Sequence, residues 1–377
     1  MPAETQPDPV ILWPDQPHTM TFRFIPPGRF LMGSRGNSTN EEPRHWVAIT
    51  RAFWIAETPV TRVQYRFLAQ SCAAALAAIE GHPGPEPSEC KGDDRHPVDS
   101  VNWFEAAAIG EWLTGSEELK RHCDKGITWA GLPTEAQWEY VCRAGTTSDY
   151  HTGDGVAALD QAGWYEANSS SSTQPVRLKA PNLFGLFDMH GNVWEWCRDA
   201  WNDDAYKQRP HLAPDPRVDE KDTPLRVVRG GSWFYTAGFC RSAFRYWWRP
   251  LGRFRYQGFR LCLSSGPVED QPASGRDGRF EPEAAPGQES EARDEPETEG
   301  RRSAWRPLNP PGGAVGTTEP RDPDGNHEKH ETHEKPRRCP IITVHLMDEE
   351  VACPNPMSFR VFRDFRGSNV PFWAESP

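Results

Sequence analysis

The stretch from Arg226 to Leu261 constrains the fold more than any other part of the sequence. It reads RVVRGGSWFYTAGFCRSAFRYWWRPLGRFRYQGFRL and holds eleven aromatic side chains between Trp233 and Phe259. The arginines interleaved with these rings are Arg241, Arg245, Arg249, Arg253 and Arg255. A core cannot hide so many guanidinium groups, because an unpaired buried charge costs several kcal/mol. We therefore expect part of this aromatic surface to face a groove or solvent.

The two ends of this run, RVVRGGSW and GFRLCL, look like short strands around an irregular middle. Such a pattern is typical of a displayed loop surface held between strands, and exposed aromatic and arginine clusters mark binding sites. The alternative is that the rings are simply core. The residues that we expect to contact a ligand are Trp233, Phe234, Tyr235, Phe239, Phe244, Tyr246, Trp247, Trp248, Phe254 and Tyr256.

Composition divides the chain into four parts. Hydrophobic residues make up only 36% of the 377 residues and there are 37 prolines, so we expect a sizeable disordered segment. Residues 1–19 read as a polar leader without structure, and 20–264 as one α+β domain. Residues 265–338 read as a disordered linker, and 339–377 as a short C-terminal element of unknown role.

Charge and cysteine usage narrow the class of partner. The net charge of −12 argues against general nucleic-acid binding. The opening MPAETQPDPV resembles no signal peptide and no apolar run is long enough for a membrane span, so we expect no membrane partner. Nine scattered cysteines favour a reducing compartment, the cytoplasm. The histidines of HEKHETHEK, which are His327, His330 and His333, fit a solvated run better than a metal site.

Local patterns predict several elements of the domain. The run MTFRFIPPGRFLMGS predicts a hairpin or paired strands, and HWVAIT and FWIAETPVT predict further strands. Helical periods are seen in VTRVQYRFLAQSCAAALA and in VNWFEAAAIGEWLTG, the second ending on Gly115 as a C-cap. Thr134 and Gln137 form a capping box for a short helix that stops near Gly145.

Six motifs together resemble the formylglycine-generating enzyme (sulfatase-modifying factor) family. They are FIPPGRFLMGS, ETPVTRVQY, HPVDSVNW, GLPTEAQWEYVCRAGT, NLFGLFDMHGNVWEWCRDAW and the signature RVVRGGSW…CRSAFR…GFRL. The resemblance implies an irregular C-type-lectin-like α+β fold. It is a weaker guide to activity, because one fold hosts many functions.

The family's catalytic copper site is only partly matched. In formylglycine-generating enzymes two cysteines five positions apart hold Cu(I), which oxidises a substrate cysteine with O2. The second position is Cys240 here, and Ser232 of the GGS motif is retained. The first position is Tyr235, whose hard, high-pKa oxygen is a poor Cu(I) ligand. Cys240 is then either a small packed thiol or a catalytic residue that works alone or with a second thiol, such as Cys197 or Cys262, brought near by the fold.

The family's structural disulfides are also unmatched. One would join positions that are Gly110 and Leu261 here, and the other would join Cys142 to a position that is Arg245. Both bonds are therefore expected to be absent, which again favours a reducing compartment.

The resemblance also implies one calcium site in GLFDMHGNVWEW. Its ligands would be the carboxylates of Asp188 and Glu195 and the carbonyls of Gly191 and Val193, and such oxygen ligands suit calcium. The alternative is that the two carboxylates hydrogen-bond the turn and the GGS strand.

One subset of the family, the variable proteins of diversity-generating retroelements, diversifies the segment between the GGSW and GFRL anchors. Large rigid aromatics with arginine make effective binding surfaces, and this sequence fits that layout. The sequence thus predicts a non-catalytic module for a protein or peptide ligand, with a binding segment that fits the diversified layout. The alternatives are a copper-dependent formylglycine-generating oxidoreductase, and a nucleic-acid or carbohydrate binder.

Overall fold

The computed structural model describes residues 7–209, 211–219 and 223–267. The strands within these residues are β1 (Val10–Leu12), β2 (Met20–Ile25), β3 (Gly28–Met32), β4 (His45–Ile49), β5 (Phe53–Ala56), β6 (Trp129–Gly131), β7 (Gly163–Trp164), β8 (His190–Gly191), β9 (Trp194–Ala200), β10 (Ala213–Pro214), β11 (Arg226–Arg229), β12 (Arg245–Trp248), β13 (Gln257–Gly258) and β14 (Cys262–Ser264). The helices are α1 (Arg62–Ser71), α2 (Ala73–Ala77), α3 (Trp103–Gly115), α4 (Glu117–Lys120), α5 (Glu135–Arg143), α6 (Val156–Ala162) and α7 (Ala205–Gln208).

The strands form several small sheets rather than one large sheet. An antiparallel sheet has the order β1-β2-β5-β14-β6, and a second sheet has the order β12-β11-β9-β13. Two smaller sheets have the orders β10-β4-β3 and β7-β8. The domain combines short strands, helices and long irregular segments, as expected for an α+β domain over 20–264. The C-type-lectin-like fold class is confirmed.

The two strands flanking Pro26 and Pro27 both form, but they do not pair with each other. β2 pairs with β1 and β5, whereas β3 pairs with β4, so the expected hairpin is wrong. Proline lacks a backbone N–H and fixes φ near −65°, so two consecutive prolines favour a bend over a ladder. The chain therefore changes sheets at this point.

The leader expected at residues 1–19 contains a strand. Val10–Leu12 forms β1 and pairs antiparallel with β2, and the side chains of Val10 and Leu12 are fully buried. The run Val10–Leu12 is too short, among polar neighbours, to give a strand signal in the sequence. The linker and C-terminal element expected at 265–338 and 339–377, with the three tail histidines, lie outside the described residues from 268 onward.

The helix predictions are confirmed with adjusted ends. The first helical pattern forms α1 and α2, which meet at Cys72. Gly115 is the last residue of α3, and Ser116 is the C-cap in place of the expected Gly115. The Ser116 hydroxyl also caps the start of α4 by accepting from Leu119 N at 3.2 Å. The Thr134 capping box is present at the start of α5.

Helix α3 packs closely against β6 at the position where the family carries a cysteine. A Cβ on Gly110 would lie 2.6 Å from the Cα of Gly131, so a larger residue does not fit without movement of the backbone. Leu261, at the other position of that family disulfide, is fully buried. The glycine at one position and the buried leucine at the other leave no disulfide to be formed there.

The middle of the Arg226–Leu261 run is more regular than the sequence predicted. Residues Arg245–Trp248 form β12, which pairs antiparallel with β11. Its burial does not alternate, since Arg245 and Trp248 are buried while Tyr246 and Trp247 are half-buried. A strand without the usual period of two gives no periodic signal in the sequence.

Candidate functional site

Four arginines of the run, Arg229, Arg241, Arg245 and Arg260, are buried, contrary to expectation. A glutamate from a remote part of the chain accompanies each of five arginines of the run: Arg229 with Glu139, Arg241 with Glu41, Arg245 with Glu135, Arg253 with Glu105, and Arg260 with Glu195. All five glutamates are buried. The cost of burying a guanidinium applies to unpaired charges, and these charges are paired.

The pairs have the geometry of strong charge-assisted bonds. Arg241 donates from Nη1 and Nη2 to the two oxygens of Glu41 at 2.9 and 2.8 Å. Arg245 donates from Nε and Nη2 to Glu135 at 2.7 and 2.8 Å. Burial alone would raise the pKa of Glu135, but the guanidinium groups of Arg245 and Arg229 hold that pKa below its usual value. These pairs fix the run to the rest of the domain.

With five of its arginines paired to buried glutamates, the run displays one continuous group of rings. We call this group the aromatic surface; it comprises Phe234, Tyr235, Phe239, Phe244, Tyr246, Trp247, Phe254 and Tyr256. All are half-buried except Phe234, which is 37% exposed. Trp233 and Trp248, also expected to contact a ligand, are buried at 2% and 8% exposure. They lie beside the rings and do not belong to the accessible surface.

Trp194 forms the floor of the aromatic surface. Its ring is 1% exposed and lies 5.6 Å from the ring of Tyr235, 5.9 Å from that of Phe244 and 6.1 Å from that of Tyr246. Sequence reasoning missed Trp194, because it lies in the NVWEW motif and not in the aromatic run. Its place in β9, beside β11, brings it under the run.

Three rings of the surface lie nearly parallel. Tyr256 stacks on Phe254 with centroids 5.3 Å apart and an interplanar angle of 1°, and on Phe234 at 5.4 Å and 16°. Tyr235 meets Tyr256 edge-on at 88°. These offset arrangements are the favoured geometry of aromatic pairs, so the rings support one another while their outer faces stay accessible.

Two buried indole groups at this surface lack a partner. Within the described residues, Nε1 of Trp194 and Nε1 of Trp248 have no hydrogen-bond acceptor. A buried unsatisfied donor costs about 1–3 kcal/mol, and such exceptions call for an explanation. By contrast, Nε1 of Trp233 donates to the carbonyl of Arg255 at 3.0 Å.

Cys240 and Tyr235 do not form a metal-binding pair. Cys240 is fully buried among Tyr150, Leu159 and Tyr165, whereas Tyr235 packs in the aromatic surface. Burial raises the pKa of the Cys240 thiol to about 12 despite the Ser232 backbone N–H beside it. A neutral thiol at the second position, with a tyrosine at the first, does not fit the two-thiolate Cu(I) site.

The other thiols considered as partners lie elsewhere. Cys197 and Cys262 belong to a different core cluster, and burial raises the pKa of Cys262 to about 12. Cys142 is the cysteine that further raises the pKa of Cys240, and burial raises the pKa of Cys142 to about 12 as well. Cys142 lies 3.8 Å from Nε2 of His190, and the described residues contain no group of three or more side chains suited to a metal ion.

At the expected calcium site, a guanidinium occupies the place of a cation. Arg260 donates to both oxygens of Glu195 at 2.7 and 2.8 Å and to the carbonyls of Ala56 and Phe187 at 3.1 and 3.0 Å. Trp138 donates a further bond to Glu195 at 2.7 Å. Three bonds thus occupy this carboxylate, two of them from a guanidinium, and the set Asp188, Gly191, Val193 and Glu195 does not fit calcium in this arrangement.

Asp188 instead braces the turn below the aromatic run. Its oxygens accept from the backbone N–H of Arg177 at 2.9 Å and from the side-chain amide of Asn192 at 3.1 Å. The carbonyl of Asn192 in turn accepts from Trp233 N at 3.0 Å. Desolvation raises the pKa of Asp188 to about 6. The predicted ligand set thus supports the GGSW strand, which was the alternative reading of the sequence.

The small mixed sheets and the ring-covered segment between β11 and β13 define a C-type-lectin-like domain with a displayed aromatic surface. The chain belongs to the sulfatase-modifying factor enzyme 1-like domain family, whose model matches residues 13–265. The resemblance read from the six motifs is confirmed.

Relatives of this chain include proteins with different named activities. It is 33% identical over 245 residues to a formylglycine-generating enzyme of Thermomonospora curvata, covering 60% of this chain and 75% of the relative. It is 31% identical over 262 residues to the serine/threonine-protein kinase pkn1 of Chlamydia caviae, covering 66% of this chain. This match covers only 38% of the kinase, so the kinase's activity is not transferred.

Among solved structures, Treponema denticola variable protein 1 superposes with a TM-score of 0.53 at 26% identity. The match covers 68% of this chain and 99% of that protein. No helix within residues 7–209, 211–219 and 223–267 combines the length and apolar content needed to cross a membrane.

Proposed function

We propose that this protein is a non-catalytic ligand-binding member of its family, and that the aromatic surface receives a protein or peptide ligand. The observation that carries the proposal is the continuous display of eight rings, of which Tyr235, Phe244 and Tyr246 pack on Trp194. Half-exposed rings that support one another lose little conformational entropy on binding, which is why aromatics dominate interface energetics. The unpartnered indoles of Trp194 and Trp248 add donors that a binding-induced shift of the rings can satisfy.

The likeness to a variable protein supports the same proposal, because that protein shares the fold over nearly its whole length. Genetic diversification of residues 233–257 belongs to the proposal and is checked by comparing this segment between clonal isolates. The seven free cysteines of the described residues fit the proposed cytoplasmic setting.

A peptide-display library panned against the immobilised full chain tests the proposal. We expect enriched peptides whose affinity falls at least about 30-fold in the double variant Phe234→Ala/Tyr256→Ala, since aromatic hot spots contribute about 2 kcal/mol or more. Trp46→Ala, a half-buried tryptophan on β4 in another sheet, is the matched control and should bind normally. Peptides that bind both variants alike would refute the proposal.

The second candidate is a formylglycine-generating oxidoreductase, which the enzyme of Thermomonospora curvata favours by its 33% identity. Titration of the reduced protein with Cu(I), in the wild type and in Cys240→Ala, separates the two candidates. The binding proposal predicts no stoichiometric copper site that depends on Cys240. Tight binding lost in the variant would support the enzyme instead.

A further inference from the structure

The arginines between residues 241 and 260 fall into two groups. Arg241, Arg245, Arg253 and Arg260 are paired with buried glutamates. Arg249 and Arg255 are exposed, and neither has a carboxylate partner among the described residues. These two remaining cations flank the aromatic surface, and internal ion pairing does not account for them.

Arg255 is held against the rings. Its Cζ lies 5.1 Å from the ring centre of Trp233 and 5.5 Å from that of Phe234. Its carbonyl accepts from Trp233 Nε1 and from Cys90 Sγ, both at 3.0 Å, so the backbone of this residue is fixed on two sides. A guanidinium stacked on an aromatic face keeps its N–H edge free to bind a carboxylate through two parallel bonds.

Arg249 follows Trp248 at the end of β12, in a turn closed by the bond from Gly252 N to the Arg249 carbonyl at 2.8 Å. Glu105 does not pair with Arg249 or Arg255, because Arg253 and His82 already bind it. The backbone of the exposed Glu166 lies beside the rings, since its N–H donates to the Tyr235 carbonyl at 3.0 Å, but its carboxylate forms no ion pair with either guanidinium. Arg249 and Arg255 are therefore the two exposed cations of the run that a ligand can bind.

We infer that the ligand of the aromatic surface is an acidic peptide segment of a partner protein, and that Arg249 and Arg255 select it. The inference rests on the proposed function and specifies its ligand. An apolar or aromatic side chain of the segment packs on the rings over Trp194, and Asp or Glu side chains beside it pair with the two guanidiniums. On a chain of net charge −12, these two exposed cations steer such a segment to one place.

The test uses the same random peptide library on the full chain. We expect the enriched peptides to carry an aromatic or large apolar residue with Asp or Glu within a few positions. Their affinity should fall roughly tenfold or more in Arg249→Gln/Arg255→Gln, in line with a lost charge-assisted bond. It should also fall with added salt, which screens exposed charges. Arg35→Gln, an exposed arginine in the loop after β3, is the matched control and should bind like the wild type.

The outcomes separate this inference from the proposed function. Enrichment of neutral or basic peptides, or binding in Arg249→Gln/Arg255→Gln equal to that in Arg35→Gln, overturns the inference. If such peptides still depend on Phe234 and Tyr256, the proposed function stands without it. Peptides indifferent to both pairs of substitutions overturn both.

Discussion

The pair formed by Arg241 and Glu41 offers a clean measure of how firmly the aromatic run is anchored. Arg241 follows Cys240, and its partner is 200 residues away in the 3₁₀ turn Thr39–Glu41. The side chain of Glu41 is fully buried and that of Arg241 is 11% exposed. Removing one partner of a buried pair leaves an uncompensated charge, at a cost of about 3–5 kcal/mol. We expect Glu41→Gln and Arg241→Met each to destabilise the domain by about 3 kcal/mol.

The double variant should cost much less than the sum of the single variants, because it leaves no unpaired charge. The coupling free energy is then about 2–3 kcal/mol in a double-mutant cycle of urea unfolding followed by tryptophan fluorescence. For a domain of this size each single substitution lowers Tm by roughly 6–12 °C. The exposed pair Glu117 and Lys120, 2.7 Å apart, is the control and should show no resolvable coupling. Additive single effects at Arg241 and Glu41 would refute the anchoring argument.

Three further predictions concern chemistry away from the rings. Among the described cysteines, the exposed Cys123 should react with a maleimide fastest in the native state, and Cys90 more slowly because burial raises its pKa; the five buried thiols should react only on unfolding, as read by peptide mass spectrometry, and labelling of Cys240 would contradict this. Asp188 has a folded pKa of about 6, above its unfolded value, so its contribution to stability is fully present below about pH 4 and falls by up to about 3 kcal/mol as pH rises to 6. The free energy of unfolding of the wild type and of Asp188→Asn, measured with urea across that range, should differ by an amount that changes between pH 4 and 6. A difference that stays constant with pH would refute this role of Asp188. Calcium or a chelator should leave Tm unchanged, since Arg260 occupies Glu195, and a calcium-dependent rise in Tm would restore the metal reading.

The elements that local chemistry specifies were predictable from the sequence. Thr134 and Gln137 cap α5 as expected, because a capping box depends only on residues three apart. The family motifs identified the fold for a related reason, since each is a short segment of defined composition. The grouping of the aromatic surface also followed from the run, because most of its rings lie within one segment.

The contacts that depend on remote residues were not predictable. No pattern within the run indicates that Glu41 or Glu135 would meet its arginines, so the guanidiniums were expected in solvent. A signal did exist in the glutamates enclosed by apolar and aromatic residues, such as Glu139 in TEAQWEY and Glu195 in NVWEW. An acidic residue within so apolar a motif indicates a buried partner of opposite charge. The partner of Glu195 is Arg260, which binds both of its oxygens.

The side-chain indole signals of the protein report on ligand binding at the aromatic surface. In a ¹H–¹⁵N spectrum of the labelled full chain, a peptide enriched by panning is added in steps. Binding at the rings predicts that the Nε1–H signals of Trp194, Trp247 and Trp248 shift together with one dissociation constant, while that of Trp46 stays in place. Shifts centred on residues around Cys240 and His190, with the three indole signals unmoved, would contradict the proposal and return attention to the buried thiol.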